Sequence, residues 1–367
     1  MSTKKLLSTY QLGKALLKNR VVMAPMTRSR ATGNIPNDLM AAYYRQRAGA
    51  GLIITEGVSP SPNGLGYARI PGAFSQEQTE GWKKVAQAVH AEGGHIFMQF
   101  MHSGRIGHAL NLPQGARVLG PSAVKAAGQM WTDAQGMQDL PVPQAMTIEE
   151  VREARDEYVQ AARNAIAAGF DGIELHGANG YLMEQFLSPF SNIRTDEYGG
   201  TVENRSRFVI ETAQAVADAI GKERVGIRLS PYGAFNDMPA YPEIEQTYTH
   251  LASELNRIGI AYIHLVDHSS MGAPAVPDSI KASFRKLFTH ALILSGGYTQ
   301  ERAEADLQRE AADLIAFGKP FLNNPDLVHR FEKGLPLSAE LDFNTFYTPG
   351  EKGYTDYPAY AEEPVVA

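Results

Sequence analysis

Cysteine is absent from all 367 residues. That absence removes disulfides, thiolate zinc centres and cysteine-held iron–sulfur clusters from consideration. Long apolar runs are missing too: nothing approaches the roughly 18 consecutive apolar residues of a membrane-spanning helix. The opening Met1-Ser-Thr-Lys-Lys-Leu-Leu-Ser8 carries two lysines with no apolar stretch behind them, so it does not read as a signal peptide. Positive charge is in deficit, with 34 Lys and Arg against 40 Asp and Glu and a formal charge of −6. That balance argues against a nucleic-acid partner. No Gly-x-Gly-x-x-Gly follows a first strand, which disfavours an open dinucleotide-binding sheet. These features describe a cytoplasmic protein with neither membrane nor nucleic acid as partner.

What is present is a large core. Hydrophobic residues make up 44% of the chain and charged residues 20%, a globular composition. Eight short apolar runs are bounded by Gly, Pro or polar residues: Arg20–Pro25, Gly51–Gly57, His95–Met101, Gly172–His176, Val225–Ser230, Ala261–Val266, Ala291–Ser295 and Leu314–Phe317. Most gaps between them hold a helical pattern, as in 77–92, 147–168, 203–220, 243–258 and 299–310. Thr147-Ile-Glu-Glu150 matches a capping box, and Thr201-Val-Glu-Asn204 also looks like a helix start. Near-continuous apolar strands alternating with helices predict a single (β/α)8 TIM barrel across 1–367. The gap after the third run is too long for a plain strand–helix turn. Residues 102–146 are therefore read as a capping excursion with a small hairpin, and 334–367 as a tail packed on the barrel.

Barrel active sites form where strands end. Here those ends are polar. Run four closes in His176-Gly-Ala-Asn-Gly-Tyr181, which places an imidazole, a carboxamide and a phenol within six residues. Two of these can donate to one substrate oxygen, and the third can deliver a proton. Run three holds Gln99, run five Arg228, run seven ends in Ser295-Gly-Gly297 and run eight in Gly318-Lys319. The last two positions are the usual phosphate site of such barrels.

In order along the chain, these residues resemble the old yellow enzyme family of FMN-dependent ene-reductases, close to its bacterial N-ethylmaleimide and nitroester reductases. The resemblance is carried by Val22–Arg28, Gly66-Tyr-Ala68, Gln99, His102–Arg105, His176 through Arg205, Gly226–Ser230, Phe317–Pro320 with Asn324–Leu327, Thr345–Tyr347 and Gly353–Pro358. It implies non-covalent FMN over the barrel mouth. Pro25, Met26 and Thr27 would line the flavin, with Gly57 leaving room for the ring. Gln99 would meet the pyrimidine edge, and Arg228 the N1/O2 side. Ser295, Gly296, Gly318 and Lys319 would hold the phosphate. His176 and Asn179 would bind the substrate oxygen while hydride passes from flavin N5 to the β-carbon and Tyr181 protonates the α-carbon. Tyr67, Met101 and Tyr347 would line the substrate pocket.

The implied donor is NADPH or NADH. The implied acceptors are small electrophilic alkenes or nitro compounds, and the implied assembly is a monomer or homodimer. Two departures stand out: Met101 replaces a tryptophan common in relatives, and Lys319 replaces a common arginine. Three rival functions have distinct requirements. A metal-dependent hydrolase would use His95, His102, His176 and His264. A dienoyl-CoA reductase would need an iron–sulfur cluster, and a flavin-storage protein would show no turnover.

Overall fold

Each of the eight apolar runs forms a strand in the computed structural model, which describes residues 4–361. The last six residues of the 334–367 tail lie outside the described residues. Numbered in chain order, the barrel strands are β1 (Val21–Met23), β2 (Leu52–Val58), β3 (Ile96–Phe100), β4 (Gly172–Gly177), β5 (Val225–Leu229), β6 (Tyr262–Val266), β7 (Ala291–Ser295) and β8 (Leu314–Phe317). All pair in parallel, and β8 closes onto β1. Every residue of these strands is buried. That is why they read as continuous apolar runs: one face fills the barrel and the other meets the helices.

The helices follow from local chemistry. Thr147 accepts from the Glu150 N–H while Glu150 reaches back, closing the capping box ahead of Ile148–Ala167. Ser75 and Gln78 do the same for Gln76–Ala91. Thr201 caps Val202–Ile220. Such caps contribute about 1 kcal/mol each.

The N-terminal hairpin, Tyr10–Leu12 with Ala15–Leu17, closes the bottom of the barrel. Its Leu12 and Leu17 pack with Val22, Leu52, Ile54, Phe97 and Ile293. The bottom of the barrel interior is thus plugged by hydrocarbon. After β3 the chain makes the hairpin Gln129–Thr132 with Gly136–Asp139 over the opposite end. Arg69 pairs with Asp133 of its turn. The C-terminal segment crosses the mouth from the other side. Arg30 donates to the carbonyls of Thr345 (2.7 Å), Phe346 (2.6 Å) and Lys352 (3.0 Å). Tyr354, fully buried, stacks on Tyr43 at 4.1 Å.

Candidate active site

Strand register brings the polar ends together. His176 lies level with Arg228, and Arg228 with His264. Gln99 lies level with both Gly57 and Glu174. Two cavities open at this end, of about 980 and about 600 Å³. They meet at Pro25, Thr27, Asn179, Arg228, Phe235 and Tyr347, which line both. The larger is also lined by Gly57, Tyr67, Gln99, Met101, His176 and Tyr181. The smaller is also lined by Met26, Ser295, Gly296, Gly318 and Lys319. Every residue assigned to the site from sequence therefore faces one cavity or the other.

The loop after β4 is tightly specified. Asn179 sits at φ +60° and Gly180 at φ +75°, a left-handed turn that asparagine and glycine tolerate. The Asn179 N–H donates to Ser230 Oγ (2.9 Å), and its carbonyl accepts from Asn236 Nδ2 (2.7 Å). Beneath the turn, the buried Glu184 accepts from the Gly180 N–H (2.6 Å), Ser230 Oγ (2.8 Å) and the Tyr248 hydroxyl (2.8 Å). Burial pushes its carboxyl up to about 7 despite these three donors.

Burial, reinforced by the charge of Arg228, holds the His176 imidazole well below its ordinary pKa. It is neutral at physiological pH and carries one N–H. Its Nδ1 is buried without a partner, as are Asn179 Oδ1 and Arg228 Nε. Buried polar atoms left unpaired are uncommon and mark a place where another group completes the bonding. The Tyr181 ring stands edge-on to His176 with centroids 5.0 Å apart. Its hydroxyl lies 3.0 Å from that of Tyr67. Burial raises the Tyr181 phenol, so it keeps its proton at neutral pH.

Met101 is buried, and a Cβ on Gly57 would stand 2.7 Å from its sulfur. Glycine at 57 is thus what lets β2 approach Met101. In the smaller cavity a Cβ at Gly318 would meet only Met26 Sδ at 3.6 Å and Ala24 Cβ at 4.0 Å, leaving that wall bare. At Gly296 (φ +117°) a Cβ would overlap the Asp267 carbonyl oxygen, so this glycine is required by packing against the end of β6. The Ser295 hydroxyl is engaged by His264 and the Leu265 carbonyl. Lys319 is exposed, its Nζ 5.6 Å from the Phe343 ring centre.

Four neighbours of these residues are not evident from the sequence as part of the site: Glu174, Glu184, Ser230 and the inward-facing His264. A signal existed for two of them. Glu174 and His264 interrupt apolar strands at positions alternating with Ile173, Leu175, Ile263 and Leu265, the inward phase of the barrel. The four histidines of the hydrolase reading do not converge. His95 lies at the opposite end against Asp171 (3.4 Å), while His102 Nδ1 accepts from the Gly104 N–H. Among the described residues no group of three His, Cys, Asp or Glu could hold a metal ion.

The family model for the NADH:flavin oxidoreductase / NADH oxidase family matches residues 5–338. A probable flavin mononucleotide-dependent alkene reductase of Leishmania infantum is 43% identical over 360 residues, covering 96% of this chain and 97% of its own. The 12-oxophytodienoate reductase 7 of Oryza sativa subsp. japonica is 39% identical over 375 residues, covering 96% and 94%. Morphinone reductase superposes with a TM-score of 0.94 at 43% identity, covering 98% of this chain and 97% of that one. The old yellow enzyme homologue of Zymomonas mobilis gives 0.91 at 40%, covering 97% and 99%. With the barrel, its polar mouth and the paired cavities, these likenesses lead to one assignment: the chain belongs to the NADH:flavin oxidoreductase / NADH oxidase family, the FMN-dependent family of the old yellow enzymes.

Proposed function

We propose that this protein uses a nicotinamide dinucleotide to reduce activated C=C bonds, with FMN bound across the two cavities. The chain offers what that cofactor requires. The unpartnered Arg228 Nε and the Gln99 amide suit the pyrimidine edge. The bare wall at Gly318 and the Lys319 ammonium suit a phosphate, with backbone at Ser295 and Gly296 beside them. Pro25, Met26 and Thr27 run between the two ends. Bound FMN supplies the hydride.

The remaining chemistry belongs to side chains. Addition of hydride to an enone drives negative charge onto its carbonyl oxygen. The His176 N–H and the Asn179 amide bind that oxygen, more strongly as the charge grows, which lowers the barrier rather than only KM. Tyr181 gives its proton to the α-carbon, and Tyr67 is placed to support the resulting phenolate through their 3.0 Å contact. Tyr347 and Met101 bound the acceptor's space.

The observation that carries this reading is the convergence of a neutral His176, an unpaired Asn179 carboxamide and a protonated Tyr181 on one cavity that also holds Gln99 and Arg228. Nitro and nitroester compounds present an oxygen to the same donors and are proposed as further acceptors. NADPH is the proposed donor, following the usage of the family the chain resembles. The test is turnover of 2-cyclohexenone under nitrogen by the purified yellow protein, with NADPH and NADH compared. Saturated ketone should form in proportion to cofactor consumed. Colourless protein that takes up no added FMN, or yellow protein without enone turnover, would overturn the reading. A higher kcat/KM with NADH would overturn the donor choice alone.

A further inference from the structure

A hydrogen-bonded strut crosses the barrel directly beneath the cavity floor. Gln99 Nε2 on β3 donates to Glu174 Oε1 on β4 at 2.8 Å. Glu174 Oε2 lies 3.0 Å from His264 Nδ1 on β6, and His264 Nε2 lies 2.9 Å from Ser295 Oγ on β7. Glu174 and His264 are wholly buried, and Gln99 and Ser295 nearly so. The strut therefore joins a residue of the larger cavity to a residue of the smaller one, and no water reaches its middle.

Burial draws His264 below its ordinary pKa. A carboxylate only accepts, so a neutral imidazole donates Nδ1–H to Glu174 and leaves Nε2 as acceptor; the single Ser295 O–H then serves Nε2 at 2.9 Å in preference to the Leu265 carbonyl at 3.2 Å. Glu174 thus takes two donors, and the Gln99 amide is held with its remaining N–H and its carbonyl free to face the cavity. A buried carboxylate is costly unless a positive charge lies near. Arg228, on the adjacent strand, is that charge: Glu174 is the foremost influence opposing the burial that weakens its guanidinium.

We propose that Glu174 is a positioning residue whose carboxylate, clamped by His264, orients the Gln99 amide and partly cancels the field that Arg228 presents to the FMN pyrimidine edge, so keeping the cofactor's midpoint potential low. This rests on the two cavities being the FMN site. Reduction places negative charge on the pyrimidine, and a second negative charge behind Arg228 disfavours it. Neutralising Glu174 then favours the reduced form.

Three variants separate charge from placement. Glu174→Gln keeps the shape and removes the charge. The ratio of affinities for reduced over oxidised FMN should rise at least tenfold, an upward shift of about 30 mV for a two-electron couple. His264→Leu takes away the donor that clamps the carboxylate against Gln99, so the FMN dissociation constant should rise. Glu174→Asp keeps the charge but cannot span to Gln99. Its potential should stay at the wild-type value while the FMN dissociation constant, read by flavin fluorescence, rises about tenfold.

Spectroelectrochemical titration reads the potentials, and each variant bears on the proposal by itself. Failure of the wild type to bind FMN would sink the cofactor site and this inference together. A Glu174→Gln protein that binds FMN at an unchanged potential would overturn this inference alone. A Glu174→Asp protein with unaltered FMN affinity would remove the positioning half.

Discussion

Glu184 offers a test in which structure fixes both sign and size. Its carboxyl lies under the Asn179–Gly180 turn and is pushed from 4.5 up to about 7 by burial. The groups facing it are the Gly180 N–H, the Ser230 hydroxyl and the Tyr248 hydroxyl, with the buried Tyr241 hydroxyl nearby. None of these is a cation. Because the folded pKa exceeds the unfolded one, the native state binds more protons between pH 4.5 and 7. Stability from this group is therefore greatest below 4.5 and is lost as pH rises through 7. Between pH 5 and pH 8 the loss is about 2.5 kcal/mol. Glu184→Gln abolishes the titration but turns an amide N–H toward one of three donors, a cost of about 1.5–3 kcal/mol. The variant should be less stable than wild type at pH 5 and nearly equal to it at pH 8. Urea unfolding followed by circular dichroism at both pH values measures the two slopes. Glu56, also raised to about 7 by burial, supplies a similar slope to both proteins and so cancels in the comparison. An identical fall in unfolding free energy for wild type and Glu184→Gln would refute the reasoning.

Further outcomes follow from the mouth of the barrel. His176→Ala removes one donor to the developing oxyanion and should lower kcat for 2-cyclohexenone by about 10²–10³-fold; a loss below tenfold would count against its role. Met101→Trp places an indole where the Met101 thioether now packs against Gly57. It should narrow the accepted substrates and alter product stereochemistry, and chiral chromatography of the products with an unchanged outcome would contradict this. Lys319→Arg exchanges a point charge for a bidentate fork and should slow FMN loss during dialysis; equal or faster loss would disprove the phosphate role.

The barrel was legible because its strands are buried on both faces and so stand out as short apolar runs, and because the helices between them carry caps such as Thr147 and Thr201. The trio after β4 was legible because polar residues crowd a strand end. Other features are set by tertiary contact and leave weaker traces. The hairpin Tyr10–Leu17 gives no sign that it seals the barrel. The helix Asp278–Leu287 is not among the helical gaps named from the sequence. Gly296 follows its strand like a phosphate-loop glycine, yet what forbids a side chain there is the Asp267 carbonyl oxygen. Glu184 looks like an ordinary acidic residue in a first helical turn, and only the fold turns three donors onto it. Arg30 precedes its carbonyl partners by more than 300 residues, a separation no local pattern reveals.

Tyr181 is proposed to deliver the proton while His176 and Asn179 hold the acceptor's oxygen. Anaerobic stopped-flow absorbance of wild type and Tyr181→Phe, with flavin reduction by NADPH and flavin reoxidation by 2-cyclohexenone followed separately, tests it most directly. The substitution should slow reoxidation and leave reduction unchanged. Equal slowing of both halves, or reoxidation at the wild-type rate, would contradict it.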